Sequence, residues 1–290
     1  MRAHPRESLA SVSTLDARLD SLAGQFAGLP GVLVAFSGGV DSGVVLAAAV
    51  RALGPERVVA ATAVSPSLPA AERVAAAEFG ASLGVRHDFP ATDELSRAGY
   101  VANAGDRCAF CKTELVDVLT PLAARLGIAD VVTGTNADDL RAGFRPGIRA
   151  AAERGAWAPL ARAGMTKDDV RAAARSWGLP LADKPAAACL ASRIAYGVPV
   201  SAEGLARVEQ AEAGLRTAMT GAGLPVQNLR VRDLGGDTAR VEVDAALVAG
   251  LVARPELLRS VAGFDVVEVD PRGFRSGSMN ELLPDPVRYR

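Results

Sequence analysis

Val32-Leu33-Val34-Ala35-Phe36 is an unbroken apolar run, and Ser37-Gly38-Gly39-Val40-Asp41-Ser42 follows it directly. A strand apolar at every position is buried on both faces, and that calls for a parallel sheet with helices on each side. The rhythm then repeats. Helices are predicted over residues 8–28, 43–53, 70–83, 111–126 and 166–177, with Gly54-Pro55, Gly84, Gly127 and Gly178 as stops. Strands are predicted at Arg57–Val64, Val85–Phe89, Asp130–Thr133 and Leu179–Ala182. Thr166 with Asp169 three residues on reads as a capping box. Strands alternating with helices predict an α/β fold, a doubly wound parallel five-stranded sheet, over residues 1–200. After residue 200 the rhythm changes to a helix at 202–222, strands at Leu229–Arg232 and Ala239–Asp244 around Gly235-Gly236-Asp237, an interrupted helix at 245–261, and a strand at Val266–Val269. A smaller α+β domain over 201–290 is the expectation, suited to substrate binding or oligomerisation.

Of 290 residues 49% are hydrophobic, so a chain of this kind folds rather than staying disordered. The formal net charge is -1, which argues against a nucleic-acid-coating protein. No run reaches the roughly 20 apolar residues of a membrane span, and residues 1–20 carry no apolar export core. The expectation is a cytoplasmic protein with no nucleic-acid or membrane partner. Three cysteines, Cys108, Cys111 and Cys189, make a poor disulfide framework and suit thiol or metal chemistry in a reducing compartment.

The Ser37–Ser42 segment has the context of a phosphate loop. Its glycines allow a tight turn, and the following helix offers N–H groups and the positive end of its dipole. Ser37 and Ser42 add hydroxyl donors, and Asp41 makes sense if Mg²⁺ bridges it to the phosphates. No lysine closes the loop, which separates it from the G-x-x-x-x-G-K-[ST] pattern. The segment matches the SGGxDS signature of the PP-loop ATP pyrophosphatases, a resemblance that implies ATP cleaved between its α and β phosphates.

Cys108 and Cys111 open a helix after the third strand, Gly134 to Asp139 follows the fourth, and Cys189 follows the fifth. Carboxyl ends of parallel strands are where open α/β sheets bind ligands. C-x-x-C plus one distant cysteine is an incomplete zinc set. An iron–sulfur cluster held at three irons, a pair of sulfur-relay thiols, and zinc or inert thiols all remain open. Arg230 and Arg232 alternate with Val231 and so share a strand face, suited to a phosphate or simply solvated. Asp138 and Asp139 read as Mg²⁺ ligands or as helix caps. Lys112 and Lys184 are candidates to neutralise pyrophosphate. Glu209 and Glu212 read as a solvated helix face, Trp157 and Trp177 as packing, and His4 and His87 carry no catalytic signal.

Together with SGGVDS, the segments Asp106–Lys112, Gly134–Asp139, Arg145-Pro146-Gly147 and Lys184–Arg193 resemble the LarE family over nearly the whole chain. Leu229–Arg232, Ala239–Glu242 and Gly273–Asn280 add to the resemblance. It implies an enzyme that adenylates a carboxylate of pyridinium-3,5-biscarboxylic acid mononucleotide and replaces AMP with sulfur, for the nickel-pincer nucleotide. It implies ATP and Mg²⁺ at Ser37, Gly38, Gly39, Asp41, Ser42 and Gly134; Lys112, by its charge, and Asp138, as a carboxylate after the fourth strand, are expected beside the triphosphate. It favours phosphate binding by Arg230 and Arg232, while Ser192 and Arg193, just past Cys189, are expected either to contact the substrate carboxylate or phosphate or to support the cysteine loop. One branch of the family sacrifices the sulfur of the cysteine matching Cys189; a three-cysteine branch carries a [4Fe-4S] cluster, and this chain matches the second. A homo-oligomer, a hexamer in the family pattern, and hand-off to a nickel-inserting protein are also implied. A tRNA-thiolating enzyme is the alternative, disfavoured by the charge balance, and a nucleotide-binding iron–sulfur sensor is a third reading.

Overall fold

The structure is a computed structural model that describes residues 6–141, 146–185, 188–275 and 277–283. His4, Arg145, Ala186, Ala187 and Ser276 lie outside the described residues. In chain order the elements begin α1 (Arg6–Gly24), β1 (Val32–Ala35), α2 (Val40–Leu53), β2 (Val58–Ala61), α3 (Ala70–Ser82) and β3 (Arg86–Asp88). Then come α4 (Ala98–Val101), α5 (Arg107–Arg125), β4 (Asp130–Thr133), α6 (Ala137–Arg141), α7 (Pro146–Glu153), α8 (Pro159–Arg162) and α9 (Lys167–Ser176). The chain continues through α10 (Ala202–Gly221), β5 (Leu229–Asp233), β6 (Thr238–Val243), α11 (Val248–Val252) and β7 (Val266–Val269).

Two compact units form. The first comprises Met1–Val64, Ala70–Thr92 and Lys112–Ala187, the second Ser65–Pro69, Asp93–Cys111 and Ala188–Arg290. Residues 93–111 and 188–200, placed with the sheet domain by the expected division at residue 200, thus pack with the C-terminal residues.

The first unit holds a parallel sheet of four strands in the order β3-β2-β1-β4. Alternation along β1 explains why both faces are covered. Val32, Val34 and Phe36 enter one apolar cluster with α2 and α9, while Leu33 and Ala35 enter another with Val116, Leu119 and Ala123 of α5. Full burial of a side chain such as Leu33 or Phe36 is worth about 1.5–3 kcal/mol.

The fifth strand is a correction. Leu179–Ala182 turns instead of extending, with Leu179 N–H on Ala174, Ala182 N–H on Leu179 and Lys184 N–H on Leu181. Gly178 takes a left-handed conformation (φ +65°) and Pro180 has no N–H to give a ladder. The apolar character of the segment serves the core, because Leu181 and Ala182 plug the cluster around α2.

The second unit holds a mixed sheet, β5 antiparallel to β6 and β7 parallel to β6. Its core runs from α10 (Ala211, Leu215, Met219) onto β5 and β6. A second cluster joins Tyr100, Leu190, Ile194, Val200, Leu205 and Val208. Among the described residues no helix is long and apolar enough to cross a membrane.

Candidate functional site

In the first unit, β2 lies on one side of β1 and β4 on the other, so the strand order reverses between β1 and β4. A reversal point at the carboxyl edge of a parallel sheet is an open crevice for a ligand. The loop after β1 is Ser37–Gly39 and the loop after β4 is Gly134–Asn136. Gly38 takes a left-handed φ of +74°, which a side chain would strain. Gly39 caps α2 without a side-chain bond, so the first-turn N–H groups keep their capacity for an anion. Ser42 shapes the loop: its Oγ accepts from Ser37 N–H at 3.2 Å, donates to the Gly39 carbonyl at 3.1 Å, and lies 3.1 Å from Ser37 Oγ. A Cβ on Gly134 would stand 2.6 Å from Ser42 N, so the two loops approach as closely as backbone allows.

Asp41 is engaged at both oxygens. Asn136 Nδ2 donates to Oδ1 at 3.1 Å and Lys167 Nζ to Oδ2 at 2.5 Å. Asp139 forms a reciprocal cap with Asn136, each side chain accepting from the other's N–H. Asp138 Oδ2 accepts from the Lys167 N–H at 2.8 Å and also pairs with Arg141. Lys184 Nζ binds Glu72 at 2.6 Å and the Gly38 carbonyl at 3.0 Å, so it braces the loop from behind. Lys112, one residue after Cys111 on α5, is half-buried. Carboxylate and amide oxygens at Asp41, Asn136 and Asp138 are hard donors that suit Mg²⁺, which takes one or two carboxylates plus substrate phosphates.

The second unit holds all three thiols, none in a disulfide. Cys108 and Cys111 lie three residues apart on the first turn of α5 and so share a face. Cys189 precedes the 3₁₀ turn Leu190–Arg193 and, like Cys108, is exposed. A bolt that the sequence did not signal fastens the two segments. Buried Arg107 donates to the Ala191 carbonyl at 2.9 Å and to Asn103 Oδ1. Asn103 Nδ2 in turn donates to the Ala195 and Val198 carbonyls, each at 2.8 Å. Burial pushes the Tyr100 phenol well above its ordinary range; its bond to Ser67 opposes this, and charge on Cys189 and Cys111 adds to it. Burial also raises Tyr196; Arg107 opposes, and charge on Cys108 and Cys189 adds. Buried Tyr100 thus senses Cys111 and Cys189, and half-buried Tyr196 senses Cys108 and Cys189.

Among the described residues no group of three or more His, Cys, Asp and Glu side chains is gathered about a single metal ion. A cubane cluster asks each thiolate for a different iron, so its donors need not converge on one point. Three soft thiols on one unit, two of them exposed, are the donor set such a cluster takes.

The predicted substrate residues are more buried than expected. Arg193 is 4% exposed, grips Glu212 through Nε and Nη2 at 2.9 and 3.1 Å, and donates to the carbonyls of Ala188 and Cys189. Ser192 Oγ donates to the same Cys189 carbonyl at 2.8 Å. Both hold the backbone of the cysteine turn. Glu212, read as solvated, faces β5 instead, where it also accepts from the Val231 N–H at 3.1 Å. Arg232 is 5% exposed, forks onto Glu242 at 2.7 and 3.1 Å and reaches the Ser192 carbonyl at 3.2 Å. Arg230 is 8% exposed and lies over the Phe274 ring. Burial, with Arg193, Arg232 and Arg216 nearby and only partly offset by Glu212, pushes its pKa down to about 10. Arg193, Arg230 and Arg232 thus form a buried basic group whose paired carboxylates are Glu212 and Glu242. Trp157 and Trp177 pack on the sheet core, as expected.

No protein-family model matches the chain. Over 274 residues it is 40% identical to an uncharacterized protein of Synechocystis sp., covering 93% of this chain and 99% of that one. Over 275 residues it is 34% identical to the pyridinium-3,5-bisthiocarboxylic acid mononucleotide synthase of Lactiplantibacillus plantarum, covering 94% of this chain and 97% of the synthase. A match of that depth from end to end, on a chain whose Ser37–Ser42 loop and cysteine turns are built as described, means that the protein belongs to the LarE family.

Proposed function

We propose that the protein is an ATP-dependent sulfur transferase that converts a carboxylate of pyridinium-3,5-biscarboxylic acid mononucleotide to a thiocarboxylate, toward the nickel-pincer nucleotide. The observation that carries this reading is the end-to-end match to the synthase. A carboxylate is a poor electrophile. Attack of its oxygen on the α-phosphorus of ATP gives an acyl-adenylate and releases pyrophosphate. Sulfide then attacks the acyl carbon, AMP leaves, and the thiocarboxylate remains. The chain's own residues divide this work. First-turn N–H groups of α2, with Ser37 and Ser42, bind phosphate; Gly38, Gly39 and Gly134 bring backbone close to it. Asp41, with Asp138 behind it, holds Mg²⁺, and Lys112 adds positive charge. Cys108, Cys111 and Cys189 would hold a [4Fe-4S] cluster, and the chemistry it would supply is delivery of sulfide. Arg230 and Arg232 supply positive potential for the substrate phosphate, while Ser192 and Arg193 hold the Cys189 turn. A cytoplasmic homo-oligomer that hands its product to a nickel-inserting protein belongs to the same reading.

An anaerobic turnover assay tests it. Protein reconstituted with iron and sulfide is expected to bind about four irons. Given ATP and the dicarboxylate mononucleotide, it should release pyrophosphate and form thiocarboxylate, with its mass unchanged. Stoichiometric zinc without iron would remove the cluster. Loss of about 34 Da at Cys189, the conversion of cysteine to dehydroalanine, would make the cysteine itself the donor. Absence of pyrophosphate release would remove the adenylation.

A further inference from the structure

Burying a guanidinium is costly unless an anion answers it. Two of the buried arginines in the second unit follow that rule, Arg193 with Glu212 and Arg232 with Glu242. Arg107 does not. It is 5% exposed, and no carboxylate among the described residues pairs with it. Its hydrogen bonds end on two neutral oxygens, Asn103 Oδ1 and the Ala191 carbonyl, and its guanidinium carbon lies 5.7 Å from the centre of the Tyr196 ring, which carries no formal charge. Both of those bonds leave from Nη1. Nε and Nη2 donate to no described residue, so most of the donor fork is uncommitted.

The surroundings of this cation are the thiols. Arg107 is the first residue of α5 and precedes Cys108 directly. The carbonyl it holds belongs to Ala191, in the 3₁₀ turn that Cys189 opens. Arg107 and charge on Cys108 and Cys189 act on one and the same phenol, Tyr196, in opposite directions. The guanidinium therefore bridges the two cysteine segments. Thiols bind metal as thiolates, so a centre held by Cys108, Cys111 and Cys189 brings to this unit the negative charge that Arg107 lacks. Water is largely excluded around the guanidinium, so its attraction for such a charge is stronger than at the surface. We propose that Arg107 is the counter-charge of the three-thiol centre, a positioning residue that fastens the two cysteine segments through Nη1 and raises the reduction potential of the cluster through its charge and its uncommitted N–H groups. The proposal rests on the reading of the three cysteines as ligands of a [4Fe-4S] cluster. The potential of such a cluster is set by net charge and by hydrogen bonds to its sulfurs, and Arg107 can supply both.

A redox titration of the full chain tests it without turnover. Protein reconstituted anaerobically with iron and sulfide is reduced stepwise against indicator dyes, and the reduced cluster is followed by its spin-resonance signal. Arg107→Gln removes the charge and Arg107→Lys keeps it, while each alters the donor that meets Ala191 and Asn103. For Arg107→Gln the midpoint should move to a more negative potential, because the added electron has lost its neighbouring cation. Arg107→Lys should stay closer to the wild-type value. No shift in Arg107→Gln, or a shift as large in Arg107→Lys, would overturn the proposal. Iron uptake by Arg107→Lys but not by Arg107→Gln would support it, since the charge would then be required for the cluster to be held at all. Uptake by neither variant, or by Arg107→Gln alone, would overturn it and leave the arginine as a purely structural bolt. A wild-type chain that takes up no iron would overturn the cluster reading and this proposal with it, and that outcome is separate because it needs no variant.

Discussion

Gly134 has no left-handed backbone to excuse it, and its need for glycine is a matter of room. A Cβ there would meet Ser42 N at 2.6 Å and Ser42 Cα at 2.9 Å, atoms of the first turn of α2 that cannot swing aside. Gly134→Ala must therefore displace the loop, at a cost of about 1–3 kcal/mol for overpacking. ATP affinity is expected to fall by about tenfold with little change in overall helix content, measured by calorimetry and circular dichroism. Glu212 makes the complementary case, in which charge decides. Its carboxylate answers the buried guanidinium of Arg193, which in turn holds the successive carbonyls of Ala188 and Cys189. Glu212→Gln keeps the shape and leaves a buried cation without its counter-charge, which costs about 3–5 kcal/mol. The unfolding free energy from urea denaturation should fall by that amount. A change below 1 kcal/mol would mean that Arg193 finds solvent or another anion.

Elements built from local signals are the ones the sequence makes legible. The Thr166–Asp169 capping box forms as expected, because every group in it lies within four residues. β4 and β7 also run over the predicted residues. The misread fifth strand has a non-local cause. Leu179–Ala182 is apolar because it plugs the core beside α2, and no periodicity in so short a run distinguishes a plug from a strand. The helix expected at 245–261 with an interruption near Pro255 forms as α11 and two short 3₁₀ turns, and Pro255 starts the second, as that local signal implied. The end of the sheet near the Ser37–Ser42 loop also carries a pH dependence. His87 on β3 lies 2.8 Å from Thr62 Oγ1, and Thr62 donates to the Phe36 carbonyl just before the loop. Burial lowers the His87 pKa, and neighbouring Asp88 only partly opposes it. The unfolded chain therefore binds the proton more readily than the folded one. Stability should be flat above about pH 6.5, fall as the pH drops through that value, and level off below the folded pKa. A melting-temperature profile between pH 5 and 8 checks this. His87→Gln should flatten that part of the curve, and an unaltered slope would assign it to other groups.

At the scale of the molecule, the way the chain interleaves its two units sets what a truncation can keep. Residues 1–64, 70–92 and 112–187 supply the four-stranded sheet with both of its apolar faces. The cysteine segments instead share a cluster with Leu205 and Val208 of α10, and Arg193 and Arg232 tie the Cys189 turn to Glu212 and β5. The motifs themselves were legible from the sequence. The mutual support was not, because the Arg107–Ala191 bolt and the Arg193–Glu212 pair join residues 84 and 19 positions apart with no local pattern to mark them. A chain ending at residue 200, the boundary that the change of strand–helix rhythm suggests, would keep all three cysteines and discard what packs Tyr100, Leu190 and Ile194. Such a chain should retain α/β circular dichroism from the sheet unit. Its unsupported apolar cluster should bind a hydrophobic dye, and reconstitution should yield no iron. If residues 1–200 instead bind iron as the full chain does and leave the dye unbound, the thiols are organised by the sheet unit alone, and the division at residue 200 is the true domain boundary.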